Sequence, residues 1–304
     1  MRITNAQTTA LMHNSMNGSS VQLAKLMQQM ALNKRILLPS DDPIASVRVL
    51  RIQREEASLE QYRTNIANVS ANLAIQETNL QSTSNAILNL RDRLLWAANG
   101  ANTSADLASI ASELENIEKI ILTFVNARDE EGRYLFSGTL SNVPAVTYDL
   151  GNQNYVMNGN DKQRQAVVAN GVLVAENVTA LGVFGQNMDM LNDLHSLVTM
   201  LKDPQLDATD PNVLQQITDT LSQLDATHSS VLGVITELGG RQNTLTLLTD
   251  SNEEVSLVNQ KIDGELSTLD YAGATIDLNN YQLALHATQK TYLKLNELSL
   301  FSLL

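Results

Sequence analysis

The stretch Leu59-Glu60-Gln61-Tyr62-Arg63-Thr64-Asn65-Ile66 opens a repeat in which Leu59, Ile66, Leu73, Leu80, Ile87 and Leu94 recur every seven residues, with Ile52 one step upstream. Seven residues make almost two helical turns, so these side chains share one face, as they do in a helix laid along a partner helix. Tyr62, Val69, Leu90 and Ala97 form a companion row, which Gln76 and Thr83 interrupt. One continuous helix from Pro43 to about Ala98 would extend about 84 Å. Its start is punctuated by Pro39-Ser40-Asp41-Asp42-Pro43, where short acids and Ser cap free amides and proline suits a first turn. Its end is Asn99-Gly100.

Working outward, a second helix follows in the three-four rhythm of Leu107, Ile110, Leu114, Ile117, Ile121 and Phe124, with Ser104 as its expected cap and Gly132 as its stop. These two helices return on each other as a hairpin. Character then changes: residues 132–185 hold seven of the fourteen glycines and the strand-like runs Tyr134 to Phe136, Tyr155 to Met157 and Ala166 to Val168. Asn158-Gly159 and Asn170-Gly171 are hairpin-turn dipeptides, so a β-rich insert of four to six strands is expected. Helical rhythm resumes at Leu191, Leu194, Val198 and Leu201, breaks at Asp203-Pro204 and restarts at Asp210-Pro211. A second sevenfold ladder is read through Leu248, Val255, Ile262, Leu269, Ile276 and Leu283, with Gly239-Gly240 and Gly264 as points of bending.

The expected fold is α+β and predominantly α. A long antiparallel, coiled-coil helical bundle is formed by the N- and C-terminal regions, with a small β-rich domain inserted in the middle. The division read from the pattern is an N-terminal assembly arm, 1–42, the two halves of a helical rod, 43–131 and 187–279, the insert, 132–186, and a C-terminal assembly arm, 280–304. Both ladders are assigned to the core of the rod. The arms are expected to be disordered in the monomer and to meet other subunits through Met16, Leu23, Leu26 and Met30 at one end, and Leu285, Tyr292, Leu295, Leu300 and Phe301 at the other. Neither arm can bury its apolar row alone.

Composition narrows the function. Hydrophobic residues make up 43% of the chain but aromatics only 4%, which favours helix seams over an aromatic-rich globule. The formal charge of -13 opposes nucleic acid or an anionic membrane as partner. Residues 1–40 break this trend, with Arg2, Lys25, Lys34 and Arg35 and no acid. There are no cysteines, no apolar run of membrane-spanning length and no signal-peptide pattern. His13, His195, His228 and His286 stand far apart, and neither a phosphate-binding loop nor a nucleophile elbow occurs. No catalytic, cofactor-binding or metal-ligating residues are assigned, so a structural protein is expected rather than an enzyme.

Four stretches carry a resemblance: Asn33-Lys34-Arg35-Ile36 leading into Pro39-Ser40-Asp41-Asp42-Pro43-Ile44-Ala45; Gln61-Tyr62-Arg63-Thr64-Asn65-Ile66; Asn126-Ala127-Arg128-Asp129-Glu130-Glu131-Gly132-Arg133-Tyr134-Leu135-Phe136-Ser137-Gly138-Thr139; and the ending Leu298-Ser299-Leu300 to Leu304. Together they resemble the flagellin superfamily, and within it the hook-associated branch more nearly than filament flagellins. The resemblance implies a structural subunit at the hook-filament junction of a bacterial flagellum, exported unfolded by the flagellar type III route without a cleaved signal peptide. It implies self-association in a helical ring or stack, another hook-associated protein on the hook side, flagellin on the filament side and a cytoplasmic export chaperone on the C-terminal helix. It implies no cofactor, nucleic acid or membrane insertion. A filament-forming flagellin, or a coiled-coil subunit of a secretion system, stays open as an alternative.

Overall fold

A computed structural model describes residues 2–301 apart from Thr209, with side chains described from 7 to 294. Long helices stand at both ends of the chain: α1 (Arg2–Leu32), α2 (Pro43–Ala97) and α3 (Ser104–Val125) before the strands, then α4 (Ala180–Phe184), α5 (Asp189–Leu201), α6 (Pro211–Ser267) and α7 (Tyr271–Phe301) after them. Between these groups lie β1 (Val146–Asp149), β2 (Asn154–Met157), β3 (Gln165–Ala169) and β4 (Val172–Ala175). The chain divides into two compact units, Leu59–Glu253 and Met1–Ser58 with Glu254–Leu304. These boundaries fall inside α2 and α6.

In the unit of residues 59–253, Leu59, Ile66, Leu73, Leu80, Ile87 and Leu94 are all buried, as the sevenfold spacing requires of one helix face. Each such leucine or isoleucine, moved fully out of water, stabilises the fold by about 1.5–3 kcal/mol. From Ile66 onward they pack in one cluster with Leu107, Leu114 and Ile121 of α3, Leu191 and Leu194 of α5, and Ile217, Leu224 and Val231 of α6. The helices run antiparallel to their neighbours: Arg93 of α2 pairs with Glu113 of α3 at 3.0 Å across their short connection, Glu118 and Glu115 of α3 meet His195 of α5 at 3.0 Å and Lys202 just past its end at 2.5 Å, and Arg91 and Glu77 of α2 meet Asp225 and Gln242 of α6 at 2.9 and 3.0 Å.

Local chemistry corrects several expectations. The cap of α3 is Thr103, not Ser104: its hydroxyl accepts from the Asp106 amide while the Asp106 carboxylate reaches back to the Thr103 amide. The helix ends at Val125 rather than at Gly132, because Asn126 turns its side chain to the strand, donating to the Val146 carbonyl at 2.8 Å and accepting from its amide at 3.1 Å. Helix α6 passes through Gly239-Gly240 without a break, flanked by buried Leu238 and Leu245.

The second ladder also needs correction. The buried row of α6 is Ile217, Leu224, Val231, Leu238 and Leu245, continued in the same frame by Asn252 and Asn259. Leu248 is half-buried, Leu269 is half-buried, and Val255, Ile262, Ile276 and Leu283 are exposed. Polar residues hold the seam where a search for apolar periodicity expected leucine and isoleucine.

The insert is two antiparallel hairpins, β1 with β2 and β3 with β4. Asn170-Gly171 forms the second turn, with Gly171 at φ 74°. Asn158-Gly159 is not a turn of either hairpin, since β1 and β2 pair from Val146↔Met157 to Asp149↔Asn154 and their loop is 150–153. Tyr134 to Phe136 makes only an isolated bridge, Arg128 to Tyr134, and Leu135 and Phe136 are buried. Gly138 (φ 72°) and Gly159 let two backbones cross closely: an added Cβ on Gly159 would lie 2.7 Å from the Ser137 carbonyl oxygen. The insert is tied to the helices by polar side chains. Fully buried Gln76 donates to the Glu176 carbonyl at 3.0 Å and accepts from the Val178 amide at 2.8 Å. From α6, Arg241 donates to the Ala175 and Asn177 carbonyls at 3.2 and 3.1 Å.

Candidate functional site

The residues of the Asn33-to-Pro43 motif form an elbow in the unit of residues 1–58 and 254–304. Helix α1 ends with Asn33 in the left-handed region at φ 51°. The Asn33 amide then donates to the Met30 carbonyl at 3.3 Å and the Lys34 amide to Gln29 at 3.1 Å, the paired bonds of a Schellman ending. The chain next clasps the turn between α6 and α7. The Arg35 amide donates to the Ser267 carbonyl at 2.8 Å, and its guanidinium donates to the Leu266 carbonyl from Nε at 3.1 Å and Nη2 at 2.9 Å. The Arg35 guanidinium and amide thereby satisfy two carbonyls that the end of α6 leaves free.

Two adjacent acids do separate work. Asp41 accepts from Lys25 Nζ at 2.7 Å and from the Leu37 and Leu38 amides at 3.0 Å each, which locks the elbow to α1. The Lys25 hydrogen bond, followed by the Leu38 and Leu37 amides, holds the Asp41 carboxyl at about 2, below its ordinary 3.8. Asp42 caps α2 by accepting from the Ala45 amide at 3.0 Å, with Pro43 in the first helical position. Arg35 also pairs with Asp42 at 3.4 Å. The elbow frames an apolar pocket lined by Ile36, Leu37, Leu38, Pro39, Val49 and Leu50.

Beyond the elbow, α1 and α7 pack against one another. They run antiparallel: the Tyr271 hydroxyl donates to the Met30 carbonyl near one end, and the His13 and Tyr292 rings meet edge to face at 5.1 Å near the other. In the same unit, Ser256 of α6 donates to Glu56 of α2 at 2.8 Å. Among the described residues there is no group of three or more His, Asp or Glu able to hold a metal, and no helix is long and apolar enough to cross a membrane. The arrangement offers helix faces, caps and clasps, which is the chemistry of assembly.

Residues 3–141 match the bacterial flagellin N-terminal helical region. The structure is similar to that of a flagellar hook-associated protein from Vibrio parahaemolyticus, with 36% sequence identity, a TM-score of 0.68, and coverage of 75% of this chain and all of that one. The chain belongs to the flagellar hook-associated proteins. Flagellar hook-associated protein 3 of Escherichia coli is 25% identical over 94% of each chain. The flagellar junction protein of Legionella pneumophila, at 17% identity and a TM-score of 0.60, shares the fold over 73% of this chain. Membership in the hook-associated family places the chain in the bacterial flagellum, among components that assemble with one another.

The residues expected to meet other subunits differ in exposure. Leu26 is buried, Met16, Leu23, Met30, Leu285 and Tyr292 are half-buried, and Tyr292 meets His13 across the pair that α1 and α7 make with each other. Leu295, Leu300 and Phe301 fall in the end of α7, whose side chains are outside the described residues. Other apolar side chains face outward from this unit, including Leu11, Val21, Leu32, Ile44, Leu257 and Leu283. Of these, Leu11, Val21 and Leu32 of α1 and Leu283 of α7 lie on the outer face of the terminal helices. That outer face is irregular in sequence and gives no period to search for.

Proposed function

We propose that this chain is a structural subunit of the hook-filament junction, standing between another hook-associated protein and flagellin in a helical ring or stack. The observation that carries the reading is the clasped elbow. It is built from the motif Asn33 to Pro43 and clasps the end of α6 beside the pair of terminal helices, with large apolar side chains left facing water. Assembly through the terminal arms, 1–42 and 280–304, is part of the same reading, with those arms gaining their order from neighbouring subunits. So are export without a cleaved signal peptide, a cytoplasmic chaperone on the C-terminal helix before export, and the absence of enzymatic activity.

Electron microscopy of cells lacking the gene tests the junction role. Intact hooks without filaments, with flagellin shed into the medium, are expected, and normal filaments would refute it. Micrometre filaments grown from the purified chain alone would instead favour a filament flagellin. For the arms, limited proteolysis of the purified monomer is expected to remove residues from both ends, and the same sites are expected to be protected in isolated flagella.

A further inference from the structure

We propose that the basic, apolar face on the first turns of α2 docks against the acidic, apolar outer face of α6 in a second copy of this chain. The inference rests on the assembly reading above and names the two mating faces.

On α2, Ile44, Val47 and Leu50 are 74%, 59% and 50% exposed, large values for apolar side chains on a helix capped and clasped in place. Interleaved with them are Arg48, Arg51 and Arg54, also exposed. Among the described residues none of these arginines makes an ion pair or a hydrogen bond through its side chain, although Glu55 stands four positions after Arg51. The nearby acids are engaged elsewhere: Asp41 with Lys25, Asp42 with Arg35, and Glu56 with Ser256. Residues 1–54 carry seven Lys and Arg against Asp41 and Asp42, in a chain whose overall charge is -13. Three arginines beside three uncovered apolar side chains form a face complementary to a surface of acids and leucines.

Such a surface exists on the same chain. Asn252, Ser256 and Asn259 of α6 are buried, so by helical geometry Glu254, Leu257, Val258, Lys261 and Glu265 project to the opposite side. Leu257 and Val258 are 70% and 56% exposed. Glu254 and Glu265 are exposed and, among the described residues, form no ion pair, and Lys261 lies between them. Residues 254–304 hold six acids against three lysines.

The occupant is a second copy because both complementary faces are present in every copy and differ from one another. Two different faces that mate make a heterologous contact, which propagates into a ring or an open helix instead of stopping at a dimer. This is the geometry a tubular junction needs.

The test uses the full chain in cells, and it benefits from the absence of natural cysteine. Val47→Cys and Leu257→Cys are combined in one chain, and assembled flagella are treated with a short bis-maleimide linker. Bands at two, three and higher multiples of the chain mass are expected, with each single-cysteine chain staying at monomer mass. Swimming cells whose flagella give no multiples would overturn the docking faces while leaving the junction role standing. A band joining the chain to a different protein, or dimers from a single-cysteine chain, would overturn them as well.

Charge reversal is the second arm. Arg51→Glu is expected to cut the number of filaments per cell by about tenfold, with the melting temperature of the purified chain unchanged, and adding Glu254→Arg is expected to restore it. Full assembly by Arg51→Glu alone, or failure of Glu254→Arg to restore it, would refute the contact.

Discussion

Gln76 stands in the companion row of the α2 repeat, where an apolar side chain is the rule, and it is fully buried. Its amide spans two backbone groups of the insert, the Glu176 carbonyl and the Val178 amide. Gln76→Leu would make the repeat more regular yet leave both groups without their partner, so it is expected to destabilise by about 1–3 kcal/mol in urea unfolding. A stabilised variant would show that the repeat alone governs this position. Glycine gives a second comparison at the same scale. Gly138 and Gly171 have nearly the same φ, 72° and 74°, but an added Cβ meets the Asn160 carbonyl oxygen at Gly138 and nothing within 4 Å at Gly171. Gly171→Ala is therefore expected to cost about 1–2 kcal/mol, the penalty of the left-handed conformation, and Gly138→Ala measurably more in the same assay. The interruption at Gln76 was visible in the sequence, but its partners lie about a hundred positions away and follow no period. The hairpin-turn dipeptides had the opposite problem: Asn170-Gly171 forms its turn, whereas Asn158-Gly159 serves a close backbone crossing that a dipeptide cannot announce.

At the level of elements, the start of α2 was legible because its signals are local. Pro39-Ser40-Asp41-Asp42-Pro43 contains both the cap and the first-turn proline of α2. The clasp from Arg35 to the Leu266 carbonyl is not local, spanning 231 positions, and only the resemblance to flagellins hinted at its importance. The elbow makes a pH prediction. Asp41 titrates lower when folded, at about 2 against an ordinary 3.8. Its contribution is thus complete above the ordinary value and is lost as pH falls from there through about 2. At neutral pH, Asp41→Asn is expected to speed amide exchange at Leu37 and Leu38 relative to the native chain. That difference is expected to narrow as the pH is lowered from 3.8 towards 2, and a constant difference over this range would show that the charge on Asp41 does not hold the elbow. The α6 ladder failed for a reason that also belongs to elements. Apolar periodicity follows a seam only while the seam is apolar, and beyond Leu245 the buried frame passes to Asn252 and Asn259, with Ser256 buried beside them.

Across the whole molecule, apolar burial is unevenly shared between the two units. Every member of the large buried cluster, from Ile66 to Leu245, belongs to the unit of residues 59–253. In the other unit the buried apolar side chains are few, Leu26, Ala45, Ile52 and Ala274 among them, while Ile44, Leu257, Ile276 and Leu283 face water. Local opening free energy follows buried contact, so α1 and α7 are expected to exchange their amides far faster in the monomer than the segments of α2, α3, α5 and α6 that carry the cluster. A pair of truncations separates the units. Leu94→Ala removes a side chain with no exposure from the cluster and is expected to cost about 2–5 kcal/mol, read as a lowered midpoint of the main unfolding transition. Leu26→Ala, at a buried side chain of α1 in the other unit, is expected to leave that midpoint in place and to accelerate exchange only in the terminal helices. If Leu26→Ala lowered the main transition as much as Leu94→Ala does, the two units would unfold as one, and the terminal helices would not be a separately yielding part. A subunit whose ends open at low cost while its centre stays folded can order those ends against its neighbours. The same truncation should therefore reduce assembly more than it reduces the stability of the free chain.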